Sequence, residues 1–308
     1  MNQAPYSPRA LGRTTLRVSP IAYGCWRFAG TTVNAARTKV EAALERGIDF
    51  FDHADIYGFQ GQGGFGDAES LFGEVLAEAP QLRSRMVIAT KGGITPPVPY
   101  NSSIEHLRLA AEASLRRLRI DVIDLYQIHR PDFLAHPEDV ARALSDLREA
   151  GKIREVGVSN YTVAQTRALQ AHLSFPLATH QPELSPWAPA ALRDGVLDLC
   201  METGMTPLAW SPLAGGRLGL SLEEAAGEPR GAELVALLTL LDRIASEQGV
   251  TRAAVAIAWV MHHPSRAIPI LGTQRIDRLE ACLAARQVSL TRQQWNEILV
   301  ASEGRPLP

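Results

Sequence analysis

Short apolar runs rich in β-branched residues alternate with longer amphipathic stretches from one end of the chain to the other. The runs fall at residues 21–23, 50–52, 86–90, 123–128, 155–158, 178–181, 207–209 and 267–270. They are largely apolar on both faces, the pattern of parallel strands buried beneath helices. Helical periodicity fills the intervals at 34–46, 68–78, 103–117, 137–150, 162–172, 190–203, 232–248 and 276–286, with an additional helix at 252–262. Start and stop residues agree with these limits: Ser103 with Glu105 just inside, Pro137 in a first turn, and Gly47 and Gly151 after last turns. Strict strand–helix alternation predicts a parallel sheet with crossover helices, and eight units favour closure into an α/β (β/α)8 barrel. Residues 9–19, with Gly12-Arg13 between alternating apolar positions, predict a hairpin ahead of the barrel, and 291–301 a terminal helix. No linker or composition shift divides the chain, so residues 1–308 read as one domain.

Composition narrows the function classes. With 31 Lys and Arg against 33 Asp and Glu, the charge balance offers no footing for nucleic acid or an anionic membrane. The longest apolar run, 253–261, is half of the roughly 18 residues a bilayer span needs. The opening MNQAPYSPRA shows no secretory leader pattern. Three well-separated cysteines, Cys25, Cys200 and Cys282, fit neither a disulfide framework nor a zinc site. A cytoplasmic protein without bound metal is the expectation.

In a (β/α)8 barrel the reactive groups project from the C-terminal ends of the strands. Those ends carry Asp52, Asp55 and Tyr57 in DHADIYG, Lys91 in VIATKGG, His129 in LYQIHRPD, Ser159 and Asn160 in GVSN, and Gln181 in HQPEL. Tyrosine, with a pKa of about 10, donates a proton poorly near neutrality unless a neighbour favours the phenolate. A lysine ammonium does so, and a carboxylate such as Asp52 holds that lysine charged. A histidine on the next strand can stabilise a developing alkoxide. A buried unpaired ammonium is costly, which makes a functional Lys91 more economical than a structural one. Asp52 and His129, taken alone, fit a satisfied core pair equally well.

These segments, together with AWSPL at 209–213, resemble the aldo-keto reductases in content and order over about residues 12 to 290, and within them the bacterial branch with DHADIYG. The resemblance implies that Tyr57 is the general acid, that Lys91 and Asp52 tune it, and that His129 orients the carbonyl of an aldehyde or ketone. It implies a nicotinamide cofactor, with Ser159, Asn160 and Gln181 on the carboxamide and Trp210 stacked on the ring. Gly24 and Trp26 belong to the same site. Ser211, Leu213, Gly216 and Arg217 cover the pyrophosphate. Gly272, Thr273, Gln274 and Arg278 lie near the 2′-phosphate, where an arginine fork favours NADPH over NADH. Two positions that often carry Glu and Asn in the family are Ala281 and Cys282 here. Many members are monomers, which sets the expectation for assembly.

Other features have plainer readings. Trp26, Phe28, Phe59 and Trp187 fall in loops at the same end and suit an apolar substrate pocket. His53 points away from the lumen because adjacent strand residues face opposite sides. Gly61, Gly63, Gly64 and Gly66 form a loop without the Lys-Ser or Lys-Thr of a phosphate cradle. His262 and His263 form a surface pair, Arg116, Arg117 and Arg119 a solvated helix end, and Cys25 a buried small residue. Two rival functions are a non-catalytic NADP(H) sensor on the same fold and a metal-dependent hydrolase built on Asp52, Asp55 and His129.

Overall fold

The computed structural model describes residues 7–61 and 63–307; the leader reading over the first residues lies partly outside them, as does Gln62 of the glycine-rich loop. Eight parallel strands close into a barrel: β3 (Ala22–Gly24), β4 (Phe50–Asp52), β5 (Val87–Gly92), β8 (Ile123–Ile128), β9 (Ile153–Ser159), β10 (Thr179–Gln181), β11 (Thr206–Ala209) and β12 (Ile268–Leu271). Closure runs through the pairing of β12 with β3, at Ile270 with Ala22 and Leu271 with Tyr23. All eight expected runs are strands, with limits shifted by a residue or two.

Alternation of side chains explains why these runs are apolar on both faces. Phe50 joins the lumen cluster with Ala22, Ala89, Leu125, Leu208 and Ile268, whereas Phe51 joins the shell packed beneath helices. The shell holds α1 (Val33–Glu45), α2 (Asp67–Glu78), α8 (Gly231–Gln248) and α9 (Arg252–His262) on one side. On the other side α3 (Ile104–Leu118), α4 (Pro137–Glu149), α5 (Val163–Gln170) and α6 (Val196–Thr203) cover β8 and β9. Thr32, Ser103, Thr162 and Thr251 cap their helices through side-chain oxygens, each satisfying an otherwise free amide.

The N-terminal hairpin, β1 (Arg9–Ala10) with β2 (Arg17–Val18), plugs the end of the barrel opposite the strand C-termini. Leu11 enters the lumen cluster, and the Gly12 amide donates to Thr206 Oγ1 at 2.7 Å. A Cβ on Gly12 would stand 2.5 Å from the Ala178 carbonyl oxygen, so the approach requires glycine. At the other terminus Trp259 of α9 stacks on Trp295 of α11 (Arg292–Glu303) at 4.8 Å. Each indole N–H donates to the other's backbone carbonyl at 3.0 Å, which fixes the terminal helix.

The structure departs from the sequence reading in several elements, of which three are the largest. A second hairpin, β6 (Ile94–Thr95) with β7 (Val98–Tyr100), follows β5. A short helix, α7 (Leu222–Ala226), stands before α8. The stretch 190–203 is divided into a 3-10 turn, Ala190–Leu192, and α6, because Gly195 takes φ of 83°. No helix among the described residues is long and apolar enough to cross a membrane.

Candidate active site

Asp52, Lys91 and His129 sit at the lumen end of three adjacent strands, and a turn returns Tyr57 to them. Tyr57 closes that turn through its amide on the Ala54 carbonyl at 3.0 Å. Lys91 is fully buried, and its three N–H bonds are all used. They donate to Asp52 Oδ2 at 2.7 Å, to the His53 carbonyl at 2.7 Å and to the Tyr57 hydroxyl at 3.1 Å. The ammonium also lies 4.9 Å from the centre of the Tyr57 ring. His129 meets that ring edge to face at 6.0 Å.

Electrostatics set the protonation states. Burial pushes the Lys91 ammonium down, but Asp52 and Tyr57 outweigh it and hold it above its usual range. Burial, with Lys91 and Arg130 adding to it, holds His129 well below the usual histidine range, so the ring is neutral at pH 7. Tyr57 departs from the expectation of a depressed value. Burial raises it, and the Lys91 charge opposes that rise without cancelling it. The side chain nonetheless remains partly exposed at the mouth, where the 3.1 Å ammonium contact is direct.

The residues expected at a carboxamide come together on β9 and β10. Ser159 Oγ donates to the Gln181 carbonyl at 2.9 Å, and Asn160 Nδ2 donates to Ser159 Oγ at 2.7 Å. Asn160 takes φ of 59° and accepts the Trp210 indole N–H at 3.0 Å. Gln181 Nε2 donates to Asp52 Oδ1 at 2.9 Å, so both oxygens of that carboxylate are bound. Ser211 follows Trp210 at φ of 50°, and Gly216, at 110°, opens the loop where Leu213 packs on the core and Arg217 pairs with Glu228 at 2.9 Å. Across the β12–β3 seam, Gln274 accepts from the Tyr23 hydroxyl at 3.2 Å, and its Nε2 lies 3.5 Å from the Gly24 carbonyl. Gly272, Thr273 and Arg278 share that segment, and Arg278 is exposed without an ion pair among the described residues.

Four mouth aromatics were expected. Trp26 is 59% exposed beside Arg27, Phe59 and Phe65 meet at 6.3 Å, and Trp187 lies under the Arg230 guanidinium at 4.5 Å. Phe28 is the correction: it is fully buried against Phe72 and His53, so it belongs to the core. His53 points outward as expected, 4.5 Å from Phe72, with neither ring nitrogen bonded among the described residues.

Sequence reasoning missed a second charged group behind the first. Fully buried Glu69 accepts from Thr90 Oγ1 at 2.5 Å and from Arg117 Nε at 2.8 Å. Arg117 is therefore no solvated helix end. The usable signal was Glu69 standing between Ala68 and Leu71 on the buried face of α2. Asp52 is held by Lys91 and Gln181, and no group of three or more His, Cys, Asp or Glu side chains that could hold a metal ion occurs among the described residues, so Asp52, Asp55 and His129 do not converge as metal ligands. Arg130, 5.8 Å from the Trp210 ring centre, was also missed.

The aldo/keto reductase family model matches residues 20–303. The chain is 50% identical over its whole length, and the whole of the relative's, to a 6-dehydroglucose reductase of Novosphingobium aromaticivorans. It is 38% identical to a 6-dehydroglucose reductase of Agrobacterium fabrum, over 94% of this chain and 96% of that one. The crystal structure of the thermostable aldo-keto reductase Tm1743 shares the fold, with a TM-score of 0.80 at 24% identity over 96% of this chain and 99% of that one. This chain belongs to the aldo/keto reductase family of oxidoreductases.

Proposed function

We propose that the protein is an NADPH-dependent carbonyl reductase and that its substrate is the terminal aldehyde of a hexose, 6-dehydroglucose. One observation carries the reaction class: the Tyr57 hydroxyl lies 3.1 Å from an ammonium that Asp52 and the His53 carbonyl hold rigid. The substrate comes from the names of two relatives that match over nearly their full lengths.

A nicotinamide fits the residues present. The Ser159 hydroxyl and the Asn160 backbone amide both donate to the Gln181 backbone carbonyl, and the Asn160 side chain donates to Ser159, which gathers polar groups complementary to a primary carboxamide. Trp210 presents a partly exposed ring that Asn160 keeps in place. The bound cofactor supplies the hydride, which no side chain can provide.

The chain's own groups handle the proton. Tyr57 gives its hydroxyl proton to the carbonyl oxygen as negative charge builds there. Lys91 stabilises the phenolate left behind, and Asp52 keeps the ammonium charged and in register. Neutral His129 offers an N–H to the same oxygen, a donor whose value grows with the charge it meets. Arg278, exposed and without an ion pair among the described residues, would bind the 2′-phosphate, which is the reason to favour NADPH over NADH.

The test is NADPH consumption with 6-dehydroglucose and with simple aldehydes. Consumption accompanied by glucose formation supports the reading. A protein that binds NADPH yet turns over none of these carbonyls refutes it and favours a cofactor sensor.

A further inference from the structure

We propose that a second small-molecule site lies outside the barrel lumen, between the loop after β4 and helix α3, and that it binds a small organic ammonium ion. The cleft there has a volume of about 680 Å³, within the range of ligand pockets. His106, Ala110, Ala113 and Arg117 line it from one face of α3, and the two alanines leave the space open. Phe59 and Phe65 line it from the loop, and Asp55 from the turn ahead of Tyr57. None of Asp52, Tyr57, Lys91 or His129 lines it, so it lies apart from the proton-donating group, and of the four expected mouth aromatics only Phe59 lines it.

Charge selects the ligand. Asp55 is only 1% exposed, yet its Oδ1 has no hydrogen-bond partner among the described residues. The charged side chains acting on it are Glu69, Arg117 and Lys91. Arg117 is committed to Glu69 at 2.8 Å and Lys91 to Asp52 at 2.7 Å. Three carboxylates therefore share two cations, and Asp55 is the one without a counter-charge. A buried carboxyl of this kind stays protonated or acquires a cation.

Hydrogen-bond inventory points the same way. His106 Nε2 is buried and without a partner among the described residues, and burial favours its neutral form, which can accept. Arg117 lines the cleft but already pairs with Glu69. The open polar positions thus suit N–H donors, and the Phe59 ring can attract a cation, whereas the Phe65 ring already lies under the Arg117 guanidinium at 5.9 Å. An ammonium on a small apolar body meets all of these. An anion would meet the Asp55 carboxyl, which already lacks a counter-charge, and a neutral alcohol would leave it without one. A bare metal ion lacks a ligand shell, since no group of three or more potential ligands occurs among the described residues.

The experiment is calorimetric titration of the full-length protein, saturated with NADPH, with benzylammonium, benzyl alcohol and benzoate. Benzylammonium should saturate a single site, about tenfold or more tighter than benzyl alcohol, with benzoate weakest. Asp55→Asn should weaken benzylammonium by about tenfold while NADPH binding persists. Ala113→Trp, which fills the cleft, should abolish benzylammonium binding in a folded protein that still binds NADPH. Equal affinity for the alcohol, unchanged affinity in Asp55→Asn, or retained binding in folded Ala113→Trp overturns the proposal. Should Asp55→Asn not fold, Ala113→Trp decides the matter alone. Turnover is not read, so failure here is separable from failure of the reductase assignment.

Discussion

Gln181 donates its side-chain amide to Asp52 at 2.9 Å, on the carboxylate oxygen that Lys91 leaves free. On the proposed reading this joins the carboxamide group to the proton-donating group through one buried oxygen. Replacing Gln181 with Met removes that bond and leaves Asp52 Oδ1 buried without a donor. NADPH affinity should fall about tenfold, and the pH profile of kcat/KM should shift together with it. A fluorescence titration and a pH–rate series check both. An affinity loss with an unmoved pH profile would sever the link.

The Lys91–Asp52 pair is buried on both sides, at 0% and 2% exposure. Removing one charge strands the other, at a cost of about 3–5 kcal/mol, whereas removing both avoids that penalty. Lys91→Met should therefore unfold at much lower urea than the wild type. Adding Asp52→Asn should recover a large part of the loss without restoring turnover. Urea midpoints test this, and a double variant no more stable than Lys91→Met contradicts it.

His53 makes a specific acid-stability prediction. Burial, helped by the Lys91 charge, lowers it to about 3 from an ordinary value of 6.5. The unfolded chain therefore binds a proton between those values that the folded chain does not, so stability falls as pH drops through this window. The loss at pH 5 is about 2 kcal/mol for this group. Asp55, raised by burial, has the opposite sign and loses its contribution as pH rises. Comparison of His53→Phe with wild type isolates the histidine: the difference in stability between pH 7 and pH 5 should shrink by that amount. An unchanged pH slope contradicts it.

Arg278 is exposed without an ion pair among the described residues, while Arg275 bonds Asp277 at 2.6 Å. On the NADPH reading, Arg278→Ala should weaken NADPH by about tenfold or more and leave NADH nearly unchanged. Equal losses for the two cofactors would place the 2′-phosphate elsewhere.

The barrel and its chemistry were legible because both depend on short-range pattern. Eight apolar runs reveal eight strands, and parallel strands deliver their terminal residues to one rim, so Asp52, Lys91 and Gln181 could be grouped before any contact was known. Long-range pairing was not legible. Glu69 and Arg117 are 48 positions apart, and only packing of α2 on α3 shows that they meet. Phe28 has the spacing of a loop residue, yet the chain folds back beneath α2 and buries it against Phe72. The direction of the Tyr57 shift was missed because burial, which sequence does not reveal, outweighs the neighbouring charge.

The most direct test of the central claim is Tyr57→Phe assayed beside wild type for NADPH consumption, with NADPH binding measured on both. The change removes one hydroxyl, 3.1 Å from Lys91 Nζ, and little contact area. The account predicts a fall in kcat of about a hundredfold or more with NADPH affinity nearly unaltered. Full turnover in the variant would show that the proton comes from another group and contradict the mechanism.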